Sequence, residues 1–306
     1  MQLLLARVID GLSNGATYAA IALALVLIFK ATTLINFAQG TLAMLGGFGV
    51  YVLASEQGIP VWIAVFVSMV LSGIVAAGLE RTLIRPFDPA DHLPLVIITL
   101  GLLLAGDSLA GVIWRNDPRA FPRLFPDGNV FTWGITQLRW YDVGVVVSVF
   151  VMVGLLELLL NRTKIGLAFR SVSSNLESSR LVGIKVGQTL MFGWALAAAV
   201  GTFAAVLYIS SPIRQIEPTF MLRVLIFSTA AAALGGLDSI KGALVGGLLM
   251  GLIQAFFGYV VSWSSDLSWF PDIGNELNLA TAFLVLLVVL LVRPAGLFGT
   301  KSIERV

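Results

Sequence analysis

The sequence predicts an all-α membrane protein: a polytopic bundle of eight or nine transmembrane segments that displays one short helix outside the bilayer. Three observations carry this. Charged residues make up 12% of the chain, against roughly 25% in a soluble domain, and the mean hydropathy is +0.95. The apolar residues fall in runs about 20 residues long, enough to cross the hydrocarbon core. One basic stretch, Asn161 to Thr189, interrupts them and carries its own helix start and stop signals.

The segments are Val8 to Phe29, Leu34 to Ala54, Pro60 to Ile84, Pro94 to Trp114, Tyr141 to Leu160, Leu190 to Ser210, Phe220 to Leu237, Ile240 to Trp263 and Leu277 to Val292. The first reads as a retained span, since no basic n-region and cleavage site precede a mature start. The second and seventh are rich in Gly and Ala and follow polar residues, so each is either a full span or a broken, re-entrant helix. The whole chain, 1–306, reads as one transmembrane domain, with 161–189 and 115–140 as its two notable loops.

With nine spans, alternation places twelve of the 19 Lys and Arg residues on one side, among them Lys30, Arg81, Arg85, Arg162, Arg180, Lys241 and Arg293. The positive-inside rule makes that side cytoplasmic, with the N-terminus outside and the C-terminus inside. Trp114, Trp133, Trp140, Trp263 and Trp269 fall near outer ends, as an interfacial belt would. The loop Arg115 to Trp140, with Pro118, Pro122 and Pro126, reads as an ordered cap, too short for a core of its own.

In the basic stretch, Ser174 and Glu177 have the S-x-x-E spacing of a capping box, and Gly183 stands where a left-handed residue would end the helix. A helix of about eight residues does not hold itself together in water, so it is expected to dock on something. Within the spans, Gly11/Gly15, Gly242/Gly246 and Gly247/Gly251 have the small-xxx-small spacing of close helix crossings, read as packing inside the chain. Leu34-Ile35-Asn36-Phe37-Ala38-Gln39-Gly40 brings two amides to the inner end of a span, as a gate element or as a polar turn. Asp107 lies well into the fourth span, where an ionised carboxylate costs at least ~2.5 kcal/mol unless hydrated or paired. It either faces a vestibule or pairs with Arg223. Lys30, Glu80 and Glu157 read as interfacial anchors. Ala43-Met44-Leu45-Gly46-Gly47 echoes Ala232-Ala233-Leu234-Gly235-Gly236, a hint of two related halves.

Several chemistries are excluded. With no cysteine and a single histidine, His92, placed in a loop, thiolate chemistry, zinc–sulfur sites and histidine relays have no residues to use. No G-x-x-x-x-G-K-[ST] loop or H-E-x-x-H occurs, so no phosphate-loop ATPase or zinc-protease constellation is present. A net charge of +2 does not point to nucleic acid.

An ordered set of strings carries a resemblance: Gly11 to Leu23, Asn36 to Gly40, Arg162-Thr163-Lys164-Ile165-Gly166 leading to Arg170, Asn175 to Ile184, Leu234 to Ala243, and Arg293-Pro294-Ala295-Gly296-Leu297-Phe298-Gly299. Together they resemble the LivH-type permease subunits of branched-chain amino acid ABC importers. The resemblance implies a multi-pass protein of the bacterial inner membrane that moves branched-chain amino acids or related small polar solutes. It implies four kinds of neighbour: a second related permease chain, two cytoplasmic ATPase subunits, an extracytoplasmic amino-acid-binding protein and lipid. ATP and Mg would belong to the ATPases, with no cofactor in this chain. Ser174, Asn175, Glu177, Arg180, Leu181 and Gly183 would form the coupling helix, while Tyr18, Asn36 and Gln39 are candidates for the transport pathway. Ser178-Ser179 replaces a common Ala-Ala, and Lys241 a frequent proline. The rival reading is a transporter working alone on an ion gradient through Asp107.

Overall fold

The apolar runs fold into helices of two lengths. The computed structural model describes residues 2–87, 92–212, 214–264 and 274–299. Six helices are long and apolar enough to cross a membrane: α1 (Gln2–Thr32), α3 (Val61–Leu79, extended to Ile84 by a π-helical turn), α4 (His92–Trp114), α5 (Trp140–Arg162), α8 (Val186–Ile209) and α10 (Ile240–Ser264). Three are shorter: α2 (Gln39–Tyr51), α9 (Phe220–Gly235) and α11 (Gly274–Val292). Two more, α6 (Lys164–Ser174) and α7 (Leu176–Leu181), fill the basic stretch.

The segment expected over Leu34 to Ala54, left open between a full span and a broken helix, starts later than its first residue. Thr33 adopts φ +57 and ends α1, and residues 33–38 are non-helical. Helix α2 begins only at Gln39; its 13 residues run on without a break into a five-residue π-helical turn, Val52–Glu56. His92 opens α4 instead of lying in a loop.

Helices α1–α4 and α8–α11 form two halves of opposite direction. Helix α1 packs on α10 as α8 packs on α3; α2 lies along α8 as α9 lies along α1; α4 meets α2 as α11 meets α9. This is the contact pattern of an inverted repeat about an axis in the membrane plane, with α5–α7 as the connector. The two glycine-rich strings that hinted at it fall on the paired elements α2 and α9 but are not equivalent. Gly46 and Gly47 face Thr202 and Ile209 of α8, whereas Gly235 meets Gly242 of α10.

At the centre, α1 buries 83% of its most apolar stretch, against 17% for α4, which is left facing outward. The α1–α10 crossing brings backbone onto backbone. A Cβ at Gly247 would strike Ala19, and one at Gly251 would strike Gly11 and Gly15. The small-xxx-small spacing therefore works within the chain. No side chain larger than hydrogen fits there without moving a helix axis.

The two ends of the bundle differ. One end gathers the ends of α1, α3 and α5, the α6–α7 pair, the α9–α10 turn and residues 293–299; we refer to it as the basic end. The opposite end carries two small antiparallel ribbons that the all-α expectation omitted: β2 (Asn129–Trp133) with β3 (Thr136–Arg139), and β1 (Arg119–Ala120) with β4 (Gln215–Ile216). This ribbon end is tied to α1 by Thr136 Oγ1, which donates to Gln2 O at 2.8 Å. Asp127 accepts from Arg214 at 3.0 Å and ion-pairs with Arg123 at 2.8 Å, offsetting part of the positive charge there. Trp133 and Trp140 are exposed at this end, as a belt requires. Trp114 is not, because it stacks on Phe48 at 4.3 Å. Trp263 and Trp269 lie outside the residues whose side chains are described.

Candidate coupling face and transport pathway

The basic stretch holds two helices where one was expected. Thr163 caps α6, its Oγ1 accepting from Gly166 N at 3.0 Å. Gly166 is pressed against the carbonyls of Leu159 and Leu160 on α5. Phe169, fully buried, fills the space opened by Gly193 on α8 beside Ala31 on α1. The sequence signal was the amphipathic spacing Gly166, Phe169, Val172, which was passed over beside the stronger punctuation that follows it.

Helix α7 comes next, and its cap is one residue later than the spacing suggested. Ser174 closes α6. Asn175, extended at φ −155 and ψ 110, caps α7 by accepting from Ser178 N at 2.8 Å through Oδ1. Glu177 sits in the first turn and makes no capping-box bond among the described residues; a carboxylate there still suits the positive helix end. The far end follows the sequence signal. Gly183 has φ +83, its N–H donates to Arg180 O at 3.1 Å, and Ile184 N donates to Ser179 O at 3.0 Å. These two bonds make a Schellman close. Six residues are thus held at both ends.

What α7 shows to its surroundings is unusual. Glu177 and Arg180 are exposed, Leu181 is 88% exposed and Val182 75% exposed. Both apolar tips stand off the bundle at its basic end.

Behind α7 lies an 840 Å³ groove lined by Lys30, Glu80, Arg85, Asn175, Glu177 and Arg180, with the first turn of α8. Glu80 is no interfacial anchor: its side chain is 1% exposed and pairs with Arg85, Nη2 to Oε2 at 2.6 Å and Nε to Oε1 at 3.3 Å. The same Nη2 donates to Gly187 O at 2.6 Å. Arg85 thereby ties the end of α3 to the start of α8, immediately beside α7. Glu157 pairs with Lys241 at 3.6 Å, joining α5 to α10.

Two of the three pathway candidates come together, and the third stands apart. Asn36 is buried in the non-helical segment, its Oδ1 accepting from Ala38 N at 3.0 Å while Gln39 N donates to Asn36 O at 3.2 Å. That local bonding lets α2 start inside the bundle. Gln39, fully buried, donates from Nε2 to Ala197 O, halfway along α8, at 3.0 Å. Among the described residues Asn36 Nδ2, Gln39 Oε1 and Trp194 Nε1 are buried without a partner, the kind of orphan that native interiors rarely keep. Trp194 and Asn36 share the wall of a small cavity of 20 Å³. Tyr18 lies on another face of α1, where its hydroxyl donates to Gln254 Oε1 at 2.6 Å and its ring stacks on Phe227 at 5.1 Å. It borders a separate 180 Å³ cavity that also holds Asn14, Tyr208 and Arg223.

Asp107 does not pair with Arg223. Its Oδ1 accepts from Thr41 Oγ1 at 2.8 Å, joining α4 to α2. Nothing in the spacing of Thr41 and Asp107 along the chain announced that bond.

Comparison with known proteins agrees with this architecture. Residues 7–292 match the family described as branched-chain amino acid transport system / permease component. The high-affinity branched-chain amino acid transport system permease protein BraD of Pseudomonas aeruginosa is 27% identical, covering 99% of this chain and 98% of its own. LivH of Escherichia coli K12, named likewise as a high-affinity branched-chain amino acid transport system permease protein, is 25% identical over 99% and 97%. A more distant relative, the fructose import permease protein FruF of Bifidobacterium longum, is 25% identical over 79% of this chain and 68% of its own. An α-helical, multi-pass fold matched to the family over nearly all its length leaves one conclusion: the chain belongs to the family of branched-chain amino acid transport permease components.

Proposed function

We propose that this chain is the membrane subunit of an ATP-driven importer that carries branched-chain amino acids, or related small polar solutes, into the cytoplasm by alternating access. The basic end faces the cytoplasm of a bacterial inner membrane, with the C-terminus on that side. The ribbon end receives an extracytoplasmic amino-acid-binding protein. A second related permease chain completes the pathway, and two ATPase subunits supply ATP and Mg chemistry that this chain has no residues for. The 306 residues act as one permease domain.

The observation that carries the reading is α7: a six-residue helix fastened at both ends that holds Leu181 and Val182 in the open. An apolar tip with nothing on it fits a groove on a soluble partner. Its foundations fit the task. Through α6 it leans on α1, α5 and α8, and the neighbouring Arg85 bridges α3 and α8. A push on α7 thus reaches both halves of the inverted repeat. Closure of the ATPase pair moves α7 and changes which end of the bundle is open. Coupling requires ATP and loaded binding protein to favour the same state, since a ligand shifts an equilibrium only by its differential affinity. Asn36 and Gln39, with their unsatisfied polar atoms at the break before α2, form the element that changes partners between the two states.

Replacing Glu177 and Arg180 together by alanine tests this in the reconstituted assembly. Stimulation of ATP hydrolysis by loaded binding protein falls at least tenfold while the membrane chains still assemble. Undiminished stimulation would remove α7 from the coupling role.

A further inference from the structure

The 180 Å³ cavity beside Tyr18 has a chemistry that neither the coupling face nor the break before α2 uses. We propose that it is a way-station for the transported solute, in which Arg223 binds the carboxylate of a free amino acid. This rests on the amino-acid reading above and adds a site to it.

The recess lies where α1, α8, α9, α10 and α11 meet, and among the described residues Arg223 is the only cation in its wall. Among the described residues no carboxylate pairs with this guanidinium. Arginine in the first turns of a membrane-embedded helix is expected to face a cavity and to find an anion. A planar, five-donor fork suits a carboxylate held by two parallel bonds. Around it stand groups for the rest of an amino acid. Gln254 Oε1, oriented by the Tyr18 hydroxyl at 2.6 Å, has a second lone pair for an ammonium group. Asn14 adds another amide. Val224, Leu279 and the Phe227 ring offer an apolar surface for a branched side chain. The walls are rigid: Phe227 is stacked on Tyr18 at 5.1 Å, and Tyr208 on Phe220 at 5.8 Å. The volume is below the roughly 300–1,000 Å³ of drug-sized sites, which fits a single small zwitterion and not a peptide.

The position suits reception of solute. Tyr208 and Arg223 lie at the ribbon-side ends of α8 and α9, so an amino acid released there reaches Arg223 before the break at 33–38. Binding at a way-station is weak, because a solute that must leave cannot be held tightly. The permease then has a preference of its own for a free carboxylate, beyond the choice made by the binding protein. The other source of the same anion chemistry is a lipid phosphate entering the recess from the bilayer.

The test uses the complete assembly, with ATPases and binding protein, in liposomes, reading leucine uptake and stimulated ATP hydrolysis separately. Arg223→Gln should lower uptake at least tenfold and keep hydrolysis within about threefold of wild type, with Arg223→Lys recovering part of the uptake. Gln254→Glu, which supplies a competing carboxylate inside the recess, should lower uptake similarly and serves if Arg223→Gln does not assemble. Normal uptake in Arg223→Gln, or in Gln254→Glu where that variant serves, overturns the proposal. So does a loss of uptake that anionic lipid restores, which assigns the guanidinium to lipid. A wild-type assembly that ignores leucine but imports another solute overturns the amino-acid reading instead, before any variant is made.

Discussion

The α1–α10 crossing and helix α7 sit in one chain and obey opposite rules. At the crossing, Gly15, Gly247 and Gly251 bring two backbones into contact and leave no room for a Cβ, while Gly11 leaves only a tight one. At α7, the chain fastens a short helix by caps at both ends and leaves its last apolar side chain, Leu181, bare. Lipid gives helices no hydrophobic reason to associate, so close packing has to do that work. Water would melt a free helix of this length, so the caps have to do it there. On the proposed function, the difference separates a body that must not deform from a handle that must stay available.

The sharpest way to break that contrast is to fill the crossing. Gly247→Leu should force α1 from α10 and cost several kcal/mol, of the order seen for overpacked cores and above; the purified chain should lose its thermal transition or fail to assemble. Next in size is the strut between them. Glu80→Gln leaves Arg85 without its buried partner and should destabilise by about 2 kcal/mol, below the 3–5 of fully buried pairs because Arg85 is partly exposed. Thermal unfolding in detergent reads it directly. Gly183→Ala strains the φ +83 close of α7 by about 1 kcal/mol. It should weaken stimulated ATP hydrolysis while leaving the bundle's unfolding temperature within a degree or two. Smallest is Asp107→Asn, which keeps an acceptor for Thr41 and should change transport less than twofold. A gradient-driven transporter working through Asp107 would lose activity in that variant.

Much of this contrast was legible in the chain. Glycine spacing announced the crossing because only glycine satisfies it, and Gly183 announced the α7 close for a similar reason. Local punctuation was less reliable by one position. Asn175 outcompeted Ser174 for the cap because Ser174 was already spent as the last residue of α6, a helix whose existence the sequence reading missed. The tertiary partners were not legible at all. Arg85 with Glu80 is five residues apart on a π turn, but Arg85 with Gly187, Tyr18 with Gln254 and Thr41 with Asp107 are each brought together by packing across the bundle. Thr33 was equally hidden: a β-branched residue in the left-handed region is disfavoured, so nothing in its type predicts the break that starts α2 inside the bundle.

The central claim is that α7 is the handle an ATPase grips. The chain has no cysteine, so Leu181→Cys creates a unique thiol for a short bifunctional crosslinker in the assembled complex. The account predicts a crosslinked product with the ATPase subunit whose yield changes when ATP is added. A thiol that reacts only with an impermeant reagent from the ribbon side, or that yields no ATPase product in an assembly that still transports, would contradict it.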